Sequence, residues 1–336
     1  MKKAKWLNCN MLMVLMVFLC SCSSTSSRSV LKVSENHITP VTIDNKIEDS
    51  EVPNIYFRVN LVDSNVEELN TGKNQYYKLK RDELNQLNLS FMIDNSKIDT
   101  NITLIALQGR DVTDIKLKKG SDWYKAIELP SKLGSSNSID FSVKWDSSSS
   151  EELIIFPIIE EARNMYTGAS LGVIRWYIED ASSNNFFTEK DLQTHKLDIP
   201  QEEYRNVYPT LSWLNFDGTK VKVRLIDSIP STQDEYNTLS ISKLSQDAMI
   251  DVIYVNNLGQ SKLISSDNKL VRDKKHELTL KEISANNNKD KKFREFYIIV
   301  NHKNKELLKD MIAVKEGHKL VSTSFQQVIE VIPVSK

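Results

Sequence analysis

Gly168-Ala169-Ser170-Leu171-Gly172 spells G-x-S-x-G, the spacing in which a strained strand-to-helix turn lifts a serine hydroxyl into position for acyl transfer. Such a nucleophile needs a histidine base further along the chain, and His195, His276, His302 and His318 all follow it. The flanking residues belong to a different context. Glu160-Glu161-Ala162-Arg163-Asn164 separates the motif from the apolar run at 153–159, where a true elbow follows its strand directly. Val173-Ile174-Arg175-Trp176-Tyr177-Ile178 after it is β-branched and aromatic, a strand composition where a helix is required. There is no glycine-rich oxyanion segment, and nine glycines in 336 residues leave few for tight catalytic turns. The motif therefore reads as a loop between strands and no catalytic residue is predicted, with a serine hydrolase using Ser170 as the alternative.

Other chemistries have less to stand on. Glu160 and Glu161 are too close in sequence for a glycosidase pair, because adjacent residues of a strand point to opposite faces. The five histidines are dispersed, and no H-x-x-x-H, H-E-x-x-H, EF-hand or phosphate-cradling glycine loop occurs, so neither a metal nor a cofactor is expected. Lys289-Asp290-Lys291-Lys292 and Arg272-Asp273-Lys274-Lys275 are the densest basic clusters, each diluted by an acid, and read as solvated loops rather than contacts to anionic lipid or wall polymer. Trp123-Tyr124, Trp145, Trp176-Tyr177 and Trp213 either line a groove or fill a β core, and the core is the commoner fate.

The N-terminus carries a different kind of information. Lys2, Lys3 and Lys5 precede an apolar stretch at 11–19, a length that suits a signal-peptide core and falls short of the roughly 20 residues that span a bilayer. Leu19-Cys20-Ser21-Cys22 resembles the lipobox of bacterial lipoproteins, with Cys20 in a small-residue slot that more often holds Ala, Ser, Thr or Val. The resemblance implies cleavage before Cys22 and attachment of lipid there. It also implies an exported protein held on the cell membrane, or on the outer membrane of a two-membrane host, since Ser23 rather than Asp follows the cysteine. Cleavage there removes three of 44 basic residues and no acidic one, so 41 against 45 leaves a formal charge of −4. Mild acidity of that kind argues against a nucleic-acid partner. All three cysteines (Cys9, Cys20 and Cys22) lie in this region, so the body must be stable without disulfides.

Behind the signal peptide (1–21) the polar stretch 22–51 reads as lipid anchor and flexible tether, with a reach on the order of 30 Å. The pattern then turns to the strand period, most clearly at Ile139-Asp140-Phe141-Ser142-Val143-Lys144-Trp145. Strands are expected at 55–62, 87–93, 102–107, 153–159 and 171–178, with Pro157 suggesting an edge or a bulge. A polar linker at 181–206 separates this module (52–180) from a second (207–336). In the second, Asp217-Gly218 suggests a hairpin between 211–216 and 221–225. Further strands are expected at 250–255, 278–283, 296–300 and 328–332, exposed loops at 257–260 and 286–289, and short helices at 236–249 and 306–315.

No internal repeat is evident. The expected fold is mainly β, two antiparallel immunoglobulin-like β-sandwich modules in tandem with a few short helices. The expected function is binding: a lipid-anchored adaptor engaging an envelope protein or a wall component. A solute-binding lipoprotein of an importer is the other alternative, set back by the scarcity of helix periods.

Overall fold

The computed structural model describes residues 28–42, 55–68, 76–80, 84–95, 99–160, 173–179, 210–214, 224–226, 229–232, 238–242, 248–271, 274–279, 293–301 and 326–331. Among them the protein is mainly β, with a single 3-10 turn at Glu35–His37 and no α-helix. The helix expected at 236–249 is overturned, for those positions hold one strand and the start of another. Leu239 and Ile241, set two apart in Thr-Leu-Ser-Ile-Ser, are both fully buried, and a period of two with β-branched residues outweighs a loose helical spacing. The helix expected at 306–315 lies outside the described residues.

Thirteen strands form the first sheet: β1 (Arg28–Lys32), β2 (Thr39–Pro40), β3 (Ile55–Leu61), β4 (Val66–Glu68), β5 (Tyr76–Leu79), β6 (Gln86–Asn95), β7 (Thr100–Gln108), β8 (Asp111–Thr113), β9 (Ile115–Leu117), β10 (Tyr124–Ser131), β11 (Ser135–Lys144), β12 (Glu152–Ile159) and β13 (Ile174–Glu179). The order is β3-β6-β11-β9-β10-β7-β12-β13-β5-β4, with β1 on β10, β2 on β11 and β8 on β7. The two end strands, β3 and β4, are consecutive in the chain, so the sheet rolls until it nearly closes. Asp63 clips that corner: its carboxylate accepts the Asn65 N–H at 3.0 Å and the Asn88 amide from β6 at 2.8 Å.

Strict alternation makes this rolling possible. Leu87, Leu89, Phe91 and Ile93 of β6 point inward, while the residues between them are half-exposed. Ile139, Phe141 and Val143 of β11 do the same, and the two strands pair over their whole length from Ser135 opposite Asn95 to Lys144 opposite Gln86. Phe57 stacks on Phe91 at 5.4 Å between ring centres, and Tyr77 meets Trp176 edge-on at 5.4 Å. In place of two sheets face to face, the first half is one sheet folded around its own core. The expectation of tandem immunoglobulin-like sandwiches is corrected there.

Residues 28–42, expected within the flexible tether, belong to this sheet. β1 runs parallel to β10 with Arg28 opposite Tyr124 and Lys32 opposite Glu128, and Leu31 and Val33 reach the core. Ser-Val-Leu-Lys-Val is too short a run within a polar stretch to show a period of its own.

Nine strands follow: β14 (Thr210–Leu214), β15 (Arg224–Ile226), β16 (Ile229–Thr232), β17 (Thr238–Ser242), β18 (Ala248–Asn256), β19 (Ser261–Leu270), β20 (His276–Thr279), β21 (Glu295–Asn301) and β22 (Gln326–Val331). They form a three-stranded sheet, β14-β17-β20, and a six-stranded sheet, β15-β16-β22-β21-β18-β19. Among the described residues the hairpin expected around Asp217-Gly218 is not seen: β14 pairs with β17 (Trp213 opposite Leu239) and β15 pairs with β16, in different sheets. Long-range pairing overrode the local turn signal. Leu239, Ile241 and Leu278 of the smaller sheet pack on Ile250, Val252 and Ile299 of the larger one, so these two sheets share a core.

Candidate functional site at the joint between the two halves

Few of the residues flagged for chemistry are gathered together. Cys22, Ser170 with its flanking glycines, Glu161, His195, His302, His318 and Lys289 to Lys292 lie outside the described residues. Glu160 accepts a hydrogen bond from the Asn101 amide at 2.7 Å. His276, half-buried on β20, sits with Nε2 within 3.0 Å of the Val271 backbone. Lys275 pairs locally with Glu277 at 2.6 Å. Trp145 and Trp176 are core residues, 2% and 0% exposed, and Tyr124 and Tyr177 are buried as well, so they line no open groove. Trp123 is half-exposed, with the Lys116 ammonium 4.5 Å from its ring centre.

The most elaborate polar arrangement lies instead where the large sheet meets the six-stranded sheet. Strands β7 and β12 have apolar residues on both faces. Leu153, Ile155 and Ile159 of β12 point into the rolled core, whereas Ile154, Phe156 and Ile158 face outward. On the other side of the joint, Phe296, Ile298 and Val300 of β21 and Ile253 and Val255 of β18 turn away from their own core toward β12. Phe156 and Phe296 meet edge-on at 5.1 Å across the seam. Thirteen buried apolar residues make up this cluster. At roughly 1.5–3 kcal/mol for a fully buried Val, Leu, Ile or Phe, that burial outweighs any single polar contact at the joint. Pro157, expected at an edge or bulge, lies in a strand paired with β7 throughout, but in a stretch where the described pairing with β13 has already ended at Ile155.

Polar groups then fix how the two faces meet. Arg110, in the turn between β7 and β8, reaches Asp251 of β18 and Asp267 of β19. Asp251 is fully buried and also accepts the Asp267 N–H at 2.8 Å. That contact holds Asp267 at φ +53°, a left-handed conformation that non-glycine residues other than Asn and Asp rarely adopt. Partial burial pulls the Arg110 guanidinium down, and the hydrogen bonds and charges of Asp267 and Asp251 outweigh that and hold it above its ordinary range. At the other edge of the seam the Arg294 guanidinium donates to the Ile159 carbonyl and lies 5.1 Å from the centre of the Phe296 ring. Ser261 Oγ accepts the Val112 N–H at 3.2 Å, joining β19 to β8.

The turn between β18 and β19 was expected to be an exposed loop. Leu258 and Gln260 are exposed, but Asn256 and Gly259 are buried. Asn256 Oδ1 accepts the N–H groups of Leu258 and Gln260, which shapes the turn, and Gly259 takes φ +74°. A side chain at Gly259 would put its Cβ 2.5 Å from Lys125 Cβ and 2.6 Å from the Lys125 carbonyl oxygen on β10. Glycine is therefore required twice over, for its backbone and for the close approach of the two halves. The sequence signal that could have found the joint is the unbroken apolar run at 153–159, matched by Phe-Tyr-Ile-Ile-Val at 296–300, because strands buried on both faces lose their alternation.

Among the described residues no group of three or more His, Cys, Asp or Glu is placed to hold a metal ion, and no helix is long and apolar enough to cross a membrane. Two further ionisable clusters are described. Arg175 and Glu152 form a buried bidentate pair at 2.6 and 2.8 Å. Burial, followed by the hydrogen bond and charge of Glu295, raises the Tyr254 phenol well above its ordinary value, and burial beside Glu295 and Tyr254 does the same for Tyr297.

No family model matches the sequence, and no curated protein matches it. Among solved structures, the sporulation control protein Spo0M from Bacillus subtilis is 8% identical, with 82% of this chain and 90% of that one covered at a TM-score of 0.20. The calcium binding domain CBD12 of CALX1.1 is 9% identical, with 76% and 96% covered at 0.19. A mutant β-glucosidase from Listeria innocua in complex with laminaribiose is 8% identical at 0.19, and the match takes in 38% of this chain and 16% of that one. At these scores the likenesses carry no argument about fold or activity.

Proposed function

We propose that this is a lipid-anchored protein of the bacterial cell envelope that works by binding another envelope protein or a wall component, without a catalytic step of its own. The observation that carries the reading is the N-terminal series Lys2-Lys3, an apolar stretch at 11–19 and Leu19-Cys20-Ser21-Cys22, with Cys22 as the lipid attachment site. The joint between the halves supports it. A seam of apolar side chains with Arg110 and Arg294 at its edges joins the two halves, and surfaces held in place by such packing meet a partner at lower entropic cost than mobile ones. The importer alternative loses ground because the described residues contain no repeated strand–helix units. For residues 207–336 the immunoglobulin-like sandwich is retained as the finer fold proposal, on the core that β17 and β20 share with β18 and β21.

The test is crosslinking in living cells of the tagged protein at native abundance, read by mass spectrometry, with Cys22→Ala as the unanchored control. One recurrent envelope partner, lost in the control, is the expected result. Labelling by a serine-reactive phosphonate that disappears in Ser170→Ala would replace the binding function with a hydrolase.

A further inference from the structure

The place where β1 begins decides which end of the body meets the lipid. β1 and β10 start flush, with Arg28 opposite Tyr124, and they run on in parallel through Lys32 opposite Glu128. The Val33 N–H then donates to the Glu128 carbonyl at 2.9 Å, so the N-terminal strand is pinned to the sheet from its first residue. Five residues, 23–27, separate Arg28 from Cys22. Even fully extended, that distance is at most roughly 20 Å. A 30-residue tether is thereby excluded.

Trp123 immediately precedes Tyr124, so it stands beside the first residue of β1, and the loop that leads to it carries a particular chemistry. Residues 114–125 contain four lysines and two aspartates in a chain whose formal net charge is −1. Lys118 and Lys119 are exposed, and the Lys116 ammonium lies over the half-exposed Trp123 ring. Lys118 pairs with the exposed Asp140 at 3.5 Å, a contact that water and salt screen. Asp114, by contrast, is taken by Lys125 at 2.6 Å and is mostly buried. An amphipathic indole beside ammonium groups is the pattern that settles at a bilayer's headgroup level, the ring among upper acyl carbons and the cations on anionic phosphates. β10 then leads away from that end to the turn at 132–134, roughly 26 Å further on.

We propose that Trp123 with Lys116, Lys118 and Lys119 is a membrane-contact patch, which lays the large sheet's β1/β10 end against the anionic leaflet that holds the Cys22 lipid. The inference rests on the lipid-anchor reading and adds a fixed orientation to it. The patch touches lipid directly, and the opposite end of β10 faces outward.

The experiment uses the full mature protein with its own lipid, reconstituted into phosphatidylcholine vesicles with and without phosphatidylglycerol, part of the phosphatidylcholine being brominated in its acyl chains. Tryptophan fluorescence reads contact, and mass spectrometry of the N-terminal peptide reads acylation. In vesicles with phosphatidylglycerol, the wild-type emission is expected to be quenched, and the quenched component to vanish in Trp123→Phe. The triple variant Lys116→Gln, Lys118→Gln, Lys119→Gln should lose most of the quenching there and differ little from wild type in pure phosphatidylcholine. Leu133→Ser, in the far turn, should leave quenching unchanged. An acylated protein whose quenching is absent, or survives Trp123→Phe, overturns the patch and leaves the anchor standing. A protein without acyl groups on Cys22 overturns both.

Discussion

The rolled core of the large sheet and the seam against the six-stranded sheet are both apolar, yet they were written in different sequence patterns. In the core, β6 and β11 alternate, one face dry and one face half-wet, and each strand needs only a neighbour beside it and its own sheet curling over it. At the seam, β12 and β21 are apolar on both faces because each serves two clusters at once. A lapse of alternation in an otherwise alternating protein therefore marks the place where a second layer arrives. Polar groups differ in the same way. Among the described residues, buried polar side chains of the rolled core such as Asn95, Gln108 and Ser131 stand at strand ends, whereas the seam carries Arg110, Asp251 and Arg294, which discriminate among the ways two greasy faces could slide.

Truncating one large ring on each side of the comparison gives the largest effects. Trp176→Ala in the core and Phe296→Ala at the seam should each cost about 3–5 kcal/mol, seen as a lowered urea midpoint by circular dichroism. A single transition is expected in both variants. If Phe296→Ala instead splits the curve in two, the halves are separable and the seam is weaker than its burial implies. Gly259→Ala comes next, at about 2 kcal/mol or more, since φ +74° is strained for alanine and the added methyl meets the Lys125 backbone. The same substitution at Gly134, also at positive φ but with open space around it, should cost distinctly less.

Arg110→Ala is expected to cost about 1–2 kcal/mol, reduced by the exposure of the guanidinium but raised by the buried Asp251 left behind. Adding Asp251→Asn should recover part of that loss, and a double-mutant cycle on urea midpoints measures the coupling. At the lower end, Lys32→Ala removes an exposed contact to Glu128 on β10 and should change stability by about 0.5 kcal/mol or less.

Alkaline titration probes the second half by itself. Tyr254 and Tyr297 are raised in the folded state, so above about pH 10 the unfolded chain gives up phenolic protons that the fold retains. Their contribution is fully present below that pH and lost as the pH climbs toward the folded values. Phe substitutions at both positions should flatten the alkaline fall in thermal midpoint, and an unchanged fall would assign it elsewhere.

Most strands with a clear period of two were legible, and so was the β-rich class. Strands β6, β7, β11, β12, β18 and β21 lie where the alternation or the apolar run placed them. β1 and β10 were missed, the first for its brevity and the second because Tyr-Lys-Ala-Ile-Glu-Leu-Pro-Ser mixes charges and a proline into its apolar series. The joint was in the sequence only as the unbroken run at 153–159, and of the loop at 116–123 only Trp123 was singled out, as a ring for a groove or a core. Its lysines, Lys116, Lys118 and Lys119, sit in a short stretch interrupted by Leu117, and their place beside β1 depends on a register between positions almost a hundred residues apart.

By itself the sequence determined the local periods and the absence of cysteine from the body, and it carries the Lys2-Lys3 and Leu19-Cys20-Ser21-Cys22 pattern on which the proposed address rests, because each depends on neighbours within a few residues. Only the tertiary structure decided that the first sheet rolls until it nearly closes, that β14 and β15 part company, that β12 and β21 share a seam and that β1 starts beside Trp123. Those are choices of partner among many chemically similar strands. They are made by the total apolar surface buried and by a few charges with one place to go, and no short window of sequence contains either quantity.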